Sequence, residues 1–242
     1  PTLYMPERAV IAMFITNHIA GRVPLVMGCG GNSTSEVLDQ LREFDLRGAD
    51  AILSVTPYYN KPTQEGIYRH FSTIADTCDI PIVLYNVPGR TGVGIAAETV
   101  ARLVKNRNVL GVKEAAGSVE RVSEILSLCD TSIMCGDDSL TVPMMLLGAK
   151  GVISVASNII PAELKKMTDA CASGDFMTAV AMHRKYWRLF KDLFVESNPI
   201  PVKAAMAMLG MIEEEYRLPL CPLSDVNREK LRKTVSECIR SV

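Results

Sequence analysis

The chain has 242 residues, 48% of them hydrophobic, which is enough for a globular protein with a substantial core. Its formal net charge of -1 and its lack of Lys/Arg-rich runs argue against nucleic acid as the main partner. No apolar stretch reaches membrane-spanning length and the first residues lack the order of a signal peptide, so a cytoplasmic location without membrane attachment is predicted.

Strands and helices alternate through most of the chain. In chain order the pattern predicts helix 6–20, strand 23–28, helix 33–47, strand 51–55, helix 63–77, strand 80–85, helix 96–105, strand 108–113, helix 119–128, strand 132–135, helix 140–147, strand 151–155 and helix 162–173. Only helices follow: 175–194, then one from 198 through 211, and 225–240. The aromatic residues of helix 175–194 have core-like spacing and predict packing or a subunit interface.

This pattern predicts an α/β fold of about six β/α units. A (β/α)8 TIM barrel needs eight, so the first two units are expected before Pro1. Residues 1–173 would then be an N-terminally incomplete barrel and residues 174–242 a helical C-terminal extension. An open six-stranded doubly wound sheet is the competing interpretation. The glycine-rich segment 28–32 does not have dinucleotide-binding spacing and indicates a tight turn more than a phosphate site.

The seven cysteines are an odd number without a Cys-x-x-Cys pair or a histidine at ligand spacing. They predict reduced structural thiols and no metal site. The cysteines are Cys29, Cys78, Cys129, Cys135, Cys171, Cys221 and Cys238.

Lys113 ends a short apolar strand, Val109–Val112, that reads as buried on both faces. Period-2 alternation puts Gly111 on the face of Lys113, where a glycine would leave room for a ligand. An amine in an apolar setting has a lowered pKa and can attack a carbonyl, so Lys113 is a candidate Schiff-base lysine. A lysine that extends to solvent from the strand end, or that pairs with a carboxylate, is the alternative.

Tyr85 ends the preceding strand, and strand parity lets its phenol face the same centre as Lys113. Imine formation needs proton transfers that a phenol can carry out. Arg90, in a loop next to Gly89 at the same rim, offers a bidentate fork to a carboxylate. A core tyrosine and a solvated loop arginine are the alternatives.

Four segments together resemble the dihydrodipicolinate synthase family, and the resemblance runs the whole length of the chain. They are Val-Thr-Pro-Tyr-Tyr-Asn-Lys-Pro at 55–62, Tyr-Asn-Val-Pro-Gly-Arg-Thr-Gly at 85–92, Gly-Val-Lys-Glu-Ala at 111–115 and Asn-Pro-Ile-Pro-Val-Lys at 198–203. The resemblance implies a (β/α)8 barrel with a C-terminal helical extension. It also implies a lyase of the class I aldolase type that condenses pyruvate with L-aspartate-4-semialdehyde in lysine and diaminopimelate biosynthesis, without metal or organic cofactor.

The resemblance also implies a role for each matching residue. Lys113 would form the imine, Tyr85 would relay protons, and Arg90 would hold the semialdehyde carboxylate. Tyr59 would be a second relay tyrosine that reaches the neighbouring subunit's site in a homotetramer built as a dimer of dimers. The backbone carbonyl of Ile153 would face pyruvate. From the residues alone, a turn aromatic that packs against neighbouring prolines is the preferred interpretation of Tyr59, and Ile153 is only a buried strand residue.

Regulation and substrate choice follow from the same resemblance. Asn32, Glu36 and Tyr58 match an effector pocket for lysine, although a capping asparagine and a surface glutamate explain the first two equally well. Arg90 favours this synthase over N-acetylneuraminate lyase and the sugar-acid aldolases of the same superfamily. A relay threonine of the family is expected before Pro1, and a chain that truly began there would be an unclosed barrel with weak or no activity, or a non-catalytic homologue.

Overall fold

The computed structural model describes residues 2–43, 46 and 48–239, which form an α/β protein. Six strands are hydrogen-bonded in chain order, as in a sheet built from β/α units. The pairs β1/β2, β2/β3 and β3/β4 are parallel. The strands are β1 (Val26–Gly28), β2 (Ala51–Val55), β3 (Ile82–Asn86), β4 (Val109–Glu114), β5 (Ser132–Cys135) and β6 (Gly151–Val152).

Helices connect these strands and form the C-terminal region. They are α1 (Met5–Ile19), α2 (Thr34–Glu43), α3 (Gln64–Thr77), α4 (Pro88–Thr91), α5 (Ala97–Leu103), α6 (Glu120–Leu128), α7 (Thr141–Leu146), α8 (Pro161–Ala172), α9 (Phe176–Asp192), α10 (Ile200–Met208) and α11 (Asp225–Ile239). The predicted helix ends at Arg47 and Arg240 lie outside the described residues. In the part of the chain that the structure describes, no helix is long and apolar enough to cross a bilayer.

The chain divides into two compact units, Leu3–Met134 and Cys135 onward together with Thr2. In the first unit the strands bury Ile52, Ile82, Leu84 and Val112 completely. Since these side chains are β-branched or leucine and lie on consecutive strands, they form the apolar layer that parallel sheets require. The predicted boundary after residue 173 falls inside the second unit and stays a prediction.

The second unit is built around α9. Tyr186 and Phe190 are buried in a core that α8, α10 and α11 complete. This confirms the predicted packing role of the helix for those two aromatic residues. Trp187, also in α9, is 51% exposed, so the suggestion of a subunit interface stays a prediction for it.

The prediction of a strand over 151–155 is wrong beyond Val152. The carboxylate of the buried Asp138 accepts the backbone N–H groups of Val155 (3.1 Å) and Ala156 (2.9 Å). These bonds turn the chain into a short 3-10 helix, Ala156–Asn158, with Val155 already helical. The last two predicted strand residues therefore do not extend the sheet.

The first half of β4 also differs from the prediction. The register skips from Ile82 opposite Val109 to Val83 opposite Gly111, which leaves Leu110 as the extra residue of a bulge. Leu110 is 47% exposed, so the predicted burial of both faces is wrong at this position. The alternation of side chains between the two faces of β4 is interrupted at the bulge, so it cannot be counted from Val109. From Gly111 onward the alternation is regular.

The remaining differences are one short additional helix and the ends of several elements. Helix α4 was not expected, because four residues are too few to show helical periodicity. The predicted helix 140–147 begins instead with a 3-10 turn, Asp138–Leu140, and the helix expected through residue 211 ends at Met208. Strands β2 and β5 have the predicted bounds.

Candidate active site

Lys113 and Tyr85 lie side by side at the carboxyl ends of β4 and β3. They are paired residues of the parallel ladder, and the Lys113 Nζ lies 4.2 Å from the centre of the Tyr85 ring. Both side chains are half-buried. The structure therefore places the candidate nucleophile against the candidate proton carrier, with solvent access to both.

Hydrogen bonds from β2 fix the end of β3. The Tyr85 carbonyl accepts the backbone N–H of Thr56 (3.0 Å) and its hydroxyl (2.8 Å). Thr56 is fully buried, so its hydroxyl has no competing water. On the other side of β3, the Asn86 carbonyl accepts the N–H of Ala115 (2.8 Å). The backbone at Tyr85 is thus held from both neighbouring strands.

Gly111 does not leave room for a ligand, contrary to the prediction. A Cβ built there would lie only 2.1 Å from the carbonyl oxygen of Ser132 in β5. Glycine is required because the backbone of β5 approaches this closely, and the space that it leaves is filled.

A buried carboxylate follows Lys113 and was missed from the sequence. Glu114 is 1% exposed, and both of its oxygens accept the side-chain N–H₂ of Asn86 at 2.9 Å. One oxygen also accepts the N–H of Ala116 (2.9 Å), and the other receives the more distant Nε of Arg121 (3.4 Å). Burial raises the pKa of Glu114, while these donors oppose that rise. The signal in the sequence was a carboxylate at the end of an apolar strand.

The Arg90 loop is built on the short helix α4. The Arg90 N–H donates to the Val87 carbonyl (2.9 Å), and Gly92 ends the helix in the left-handed conformation with its N–H on the Pro88 carbonyl (2.9 Å). The Arg90 side chain is exposed. An exposed guanidinium on a capped turn that follows the Tyr85 strand has the charge and the planar geometry to bind a carboxylate.

Tyr59 projects from the loop between β2 and α3. It is 89% exposed and has a positive φ of 73°, which is uncommon for a non-glycine residue. Its N–H donates to the Thr91 carbonyl (3.3 Å), so the Tyr59 loop is joined to the Arg90 loop. The alternative of a tyrosine packed within its turn does not fit this exposure.

The three candidate effector residues lie on two adjoining segments, the start of α2 with the residues before it and the loop between β2 and α3. Asn32 precedes α2, and Glu36 lies in its first turn. Tyr58 belongs to the Tyr59 loop, whose Asn60 side chain donates to the Asn32 carbonyl (2.8 Å). Glu36 and Tyr58 are exposed. The lysine pocket stays a prediction.

Ile153 belongs to the second unit and, contrary to the expectation of a buried strand residue, it follows the end of β6 and is half-exposed. Its N–H donates to the Cys135 carbonyl (2.9 Å). Asp138 holds the chain just after it, as described above. The predicted contact between its carbonyl and pyruvate stays a prediction.

The described residues contain no group of three or more histidine, cysteine or acidic side chains able to hold a metal ion. All seven cysteines are free thiols. Burial raises the pKa of Cys29 to about 11 and that of Cys135 to about 12, which keeps both protonated at neutral pH.

Comparison with known proteins gives a consistent result. The model of the dihydrodipicolinate synthetase family matches residues 1–238. The 4-hydroxy-tetrahydrodipicolinate synthase of a Sulfurihydrogenibium species is 50% identical over 239 residues, which are 97% of this chain and 82% of that protein. The solved structure of the corresponding synthase from Methylacidiphilum fumariolicum has a TM-score of 0.97 and 44% identity, covering 99% of this chain and 81% of that one.

Two similar solved structures contain small molecules. The synthase from Acinetobacter baumannii, complexed with pyruvate, has a TM-score of 0.95 and 41% identity over 98% of this chain and 82% of that one. The enzyme from Cyanidioschyzon merolae, with lysine bound, has a TM-score of 0.94 and 37% identity over the same shares. The match along nearly the whole chain, at these identities, means that the chain belongs to the dihydrodipicolinate synthetase family.

Proposed function

We propose that this protein is a lyase of the class I aldolase type that condenses pyruvate with L-aspartate-4-semialdehyde, as 4-hydroxy-tetrahydrodipicolinate synthase in lysine and diaminopimelate biosynthesis. The observation that carries the proposal is the Lys113 amine 4.2 Å from the Tyr85 ring centre, at paired positions of adjacent strands, in a member of this family. The pyruvate complex of a similar protein supports the choice of the first substrate.

The reaction begins at the Lys113 amine. The face of the Tyr85 ring stabilises the protonated form of the Lys113 amine. The amine must therefore lose a proton and move away from the Tyr85 ring before it can attack the carbonyl carbon of pyruvate. The resulting carbinolamine takes up a proton on its hydroxyl and loses water to give the imine. Loss of a proton from the pyruvate methyl group gives the enamine, whose carbon attacks the aldehyde carbon while the aldehyde oxygen takes up a proton. The amino group of the semialdehyde then attacks the imine carbon, which closes the ring of the product and releases the Lys113 amine. Tyr85 is the proposed carrier of these protons, because it lies beside the nitrogen.

The second substrate brings a carboxylate to this rim. Arg90 is the proposed contact, since a guanidinium can bind both carboxylate oxygens. Ile153 is proposed to present its carbonyl to pyruvate. We further propose that Tyr59 takes part in a neighbouring subunit's site within a homotetramer, and its 89% exposure supports a contact outside its own chain.

The finer features of the fold and of regulation are also proposals. We propose that the six parallel strands belong to a (β/α)8 barrel and that residues 174–242 are its helical extension. Asn32, Glu36 and Tyr58 are proposed to bind lysine as an effector, with the lysine-bound structure of a similar protein as support. A cytoplasmic location is proposed from the sequence.

Borohydride trapping tests the proposal. Incubation with pyruvate and sodium borohydride should leave a reduced pyruvyl group on Lys113, found by peptide mass spectrometry. Lys113→Ala should abolish the adduct, whereas Lys105→Ala, at an exposed lysine of the same unit, should retain it. Product assays with aspartate-semialdehyde and with N-acetylmannosamine then identify the aldehyde. Absence of an adduct on Lys113 of the unmodified protein would overturn the proposed function.

A further inference from the structure

Four residues form a closed ring of hydrogen bonds at the ends of β3 and β4. Asn86 donates to the Glu114 carboxylate, and its side-chain oxygen accepts the N–H of Ile95 (3.0 Å). The Ile95 carbonyl accepts an Nη of Arg121 (2.7 Å), whose Nε points to Glu114 at 3.4 Å. The ring therefore joins both strand ends to the segment before α5 and to the first turn of α6.

The ring has a fixed direction of donors and acceptors. Since Ile95 donates to the oxygen of the Asn86 amide, the nitrogen of that amide must face Glu114. Both Glu114 oxygens already accept N–H donors, so an ionised carboxylate gives every donor of the ring an acceptor. An amide at position 114 would instead place its own N–H groups against the N–H groups of its neighbours.

The ring lies next to the reacting pair in the chain. Asn86 follows Tyr85, Glu114 follows Lys113, and the two ring residues are themselves paired in the ladder. Successive side chains of a strand point to opposite faces, so the ring side chains are on the face opposite Lys113 and Tyr85. They are bonded to one another across the two strand ends, and they fix the backbone from which both reacting groups extend.

We propose that Glu114, held by Asn86 and Arg121, is a positioning residue that sets the separation of the Lys113 amine and the Tyr85 ring, and so the rate of imine formation. This inference rests on the proposed function. Misplacement of reacting groups by about 1 Å can slow a reaction by about 100-fold, so loss of the ring should slow trapping at saturating pyruvate by about 10- to 100-fold.

The sharpest test exchanges donor and acceptor across the ring. In Glu114→Gln alone, the new amide nitrogen faces the amide nitrogen of Asn86, so two donors meet. In Asn86→Asp alone, the new carboxylate faces that of Glu114, so two acceptors meet. In the double variant, Asp at position 86 still accepts from Ile95 and also from the new glutamine, whose oxygen accepts from Ala116. The glutamine nitrogen still faces the Arg121 Nε, so the recovery is partial. The double variant should trap pyruvate faster than either single variant by about threefold or more.

A matched control separates positioning from general stability. Asn108, which immediately precedes β4, donates its side-chain N–H₂ to the carbonyls of Ala75 (2.9 Å) and Cys78 (2.6 Å). Asn108→Ala removes comparable bonds far along the strand from Lys113. It should lower the melting temperature as Glu114→Gln does, with trapping at saturating pyruvate within about twofold of the unmodified protein.

The outcomes are distinct. If Glu114→Gln does not fold, Arg121→Met, which removes only the partly exposed member of the ring, gives the same comparison. Equal slowing in Asn108→Ala and the ring variants, or no recovery in the double variant, would overturn the inference. If the unmodified protein forms no adduct, the proposed function fails and this inference with it. An adduct in the unmodified protein with unchanged rates in the ring variants would overturn the inference alone.

Discussion

Gly111→Ala should destabilise the protein strongly, because β4 and β5 leave no space for a side chain at this position. The added Cβ would lie 2.1 Å from the Ser132 carbonyl oxygen and 2.9 Å from the Ser132 carbonyl carbon. Non-bonded carbon atoms prefer about 3.5–4.0 Å, so the two strands must move apart by about 1 Å. Overpacking typically costs about 1–3 kcal/mol, and each ladder hydrogen bond that is lost adds about 1 kcal/mol.

We therefore expect Gly111→Ala to lose about 3 kcal/mol of unfolding free energy, a large part of the 5–15 kcal/mol typical of a folded domain. Urea unfolding followed by circular dichroism measures this loss. Because Lys113 lies two residues further along β4, borohydride trapping should slow as well.

Gly28→Ala is the matched control for this experiment. Gly28 also lies in a strand, and a Cβ built there meets nothing within 4 Å. It should change the unfolding free energy by no more than about 0.5 kcal/mol. If Gly111→Ala were as stable as Gly28→Ala and trapped pyruvate at the same rate, the close approach of β4 to β5 would be wrong.

Three further predictions concern other parts of the first unit. Burial lowers the pKa of His70 from 6.5 to about 4. Between these two pH values the histidine is protonated in the unfolded chain and neutral in the folded one. The free energy of unfolding is therefore highest above pH 6.5 and decreases as the pH falls towards 4. Urea unfolding should show a loss of up to about 3 kcal/mol over that range, smaller in His70→Asn, and equal slopes in both would contradict the cause. Thr56→Val removes the hydroxyl bond to the Tyr85 carbonyl and should cost about 1 kcal/mol in urea unfolding with slower trapping, whereas unchanged trapping would show that this bond does not position Tyr85. Gly92 and Gly117 both have a positive φ, so alanine at either position should lower the free energy of unfolding, measured in urea, by about 1 kcal/mol. A further loss is expected only at position 92, where a Cβ would meet a lysine side chain. Equal losses at the two positions would contradict that contact.

The sequence was sufficient to predict the elements whose residues are regular along the chain. Strands β2 and β5 have the expected bounds because each is a short, mainly apolar run between turn residues. The pairing of Lys113 with Tyr85 was also predictable, since adjacent parallel strands bring their carboxyl ends to one rim and parity decides which side chains share a face.

The features that the sequence did not predict depend on contacts between distant segments. Nothing near Gly111 in the chain indicates that the Ser132 carbonyl occupies the space beside it. The end of β6 is set by Asp138, which takes two backbone N–H groups from the following turn. A periodic pattern describes one segment at a time, so it cannot register a partner that arrives from another strand or loop.

The buried charge at Glu114 shows how such contacts change the meaning of a local pattern. From the sequence, the alternative to a nucleophilic Lys113 was a lysine that extends to solvent or pairs with a carboxylate. In the structure the Glu114 carboxylate accepts hydrogen bonds from Asn86 and Ala116 and pairs with Arg121. A carboxylate satisfied by those donors has little capacity left for the neighbouring amine. The amine lies 4.2 Å from the centre of the Tyr85 ring, on the other face of the strand.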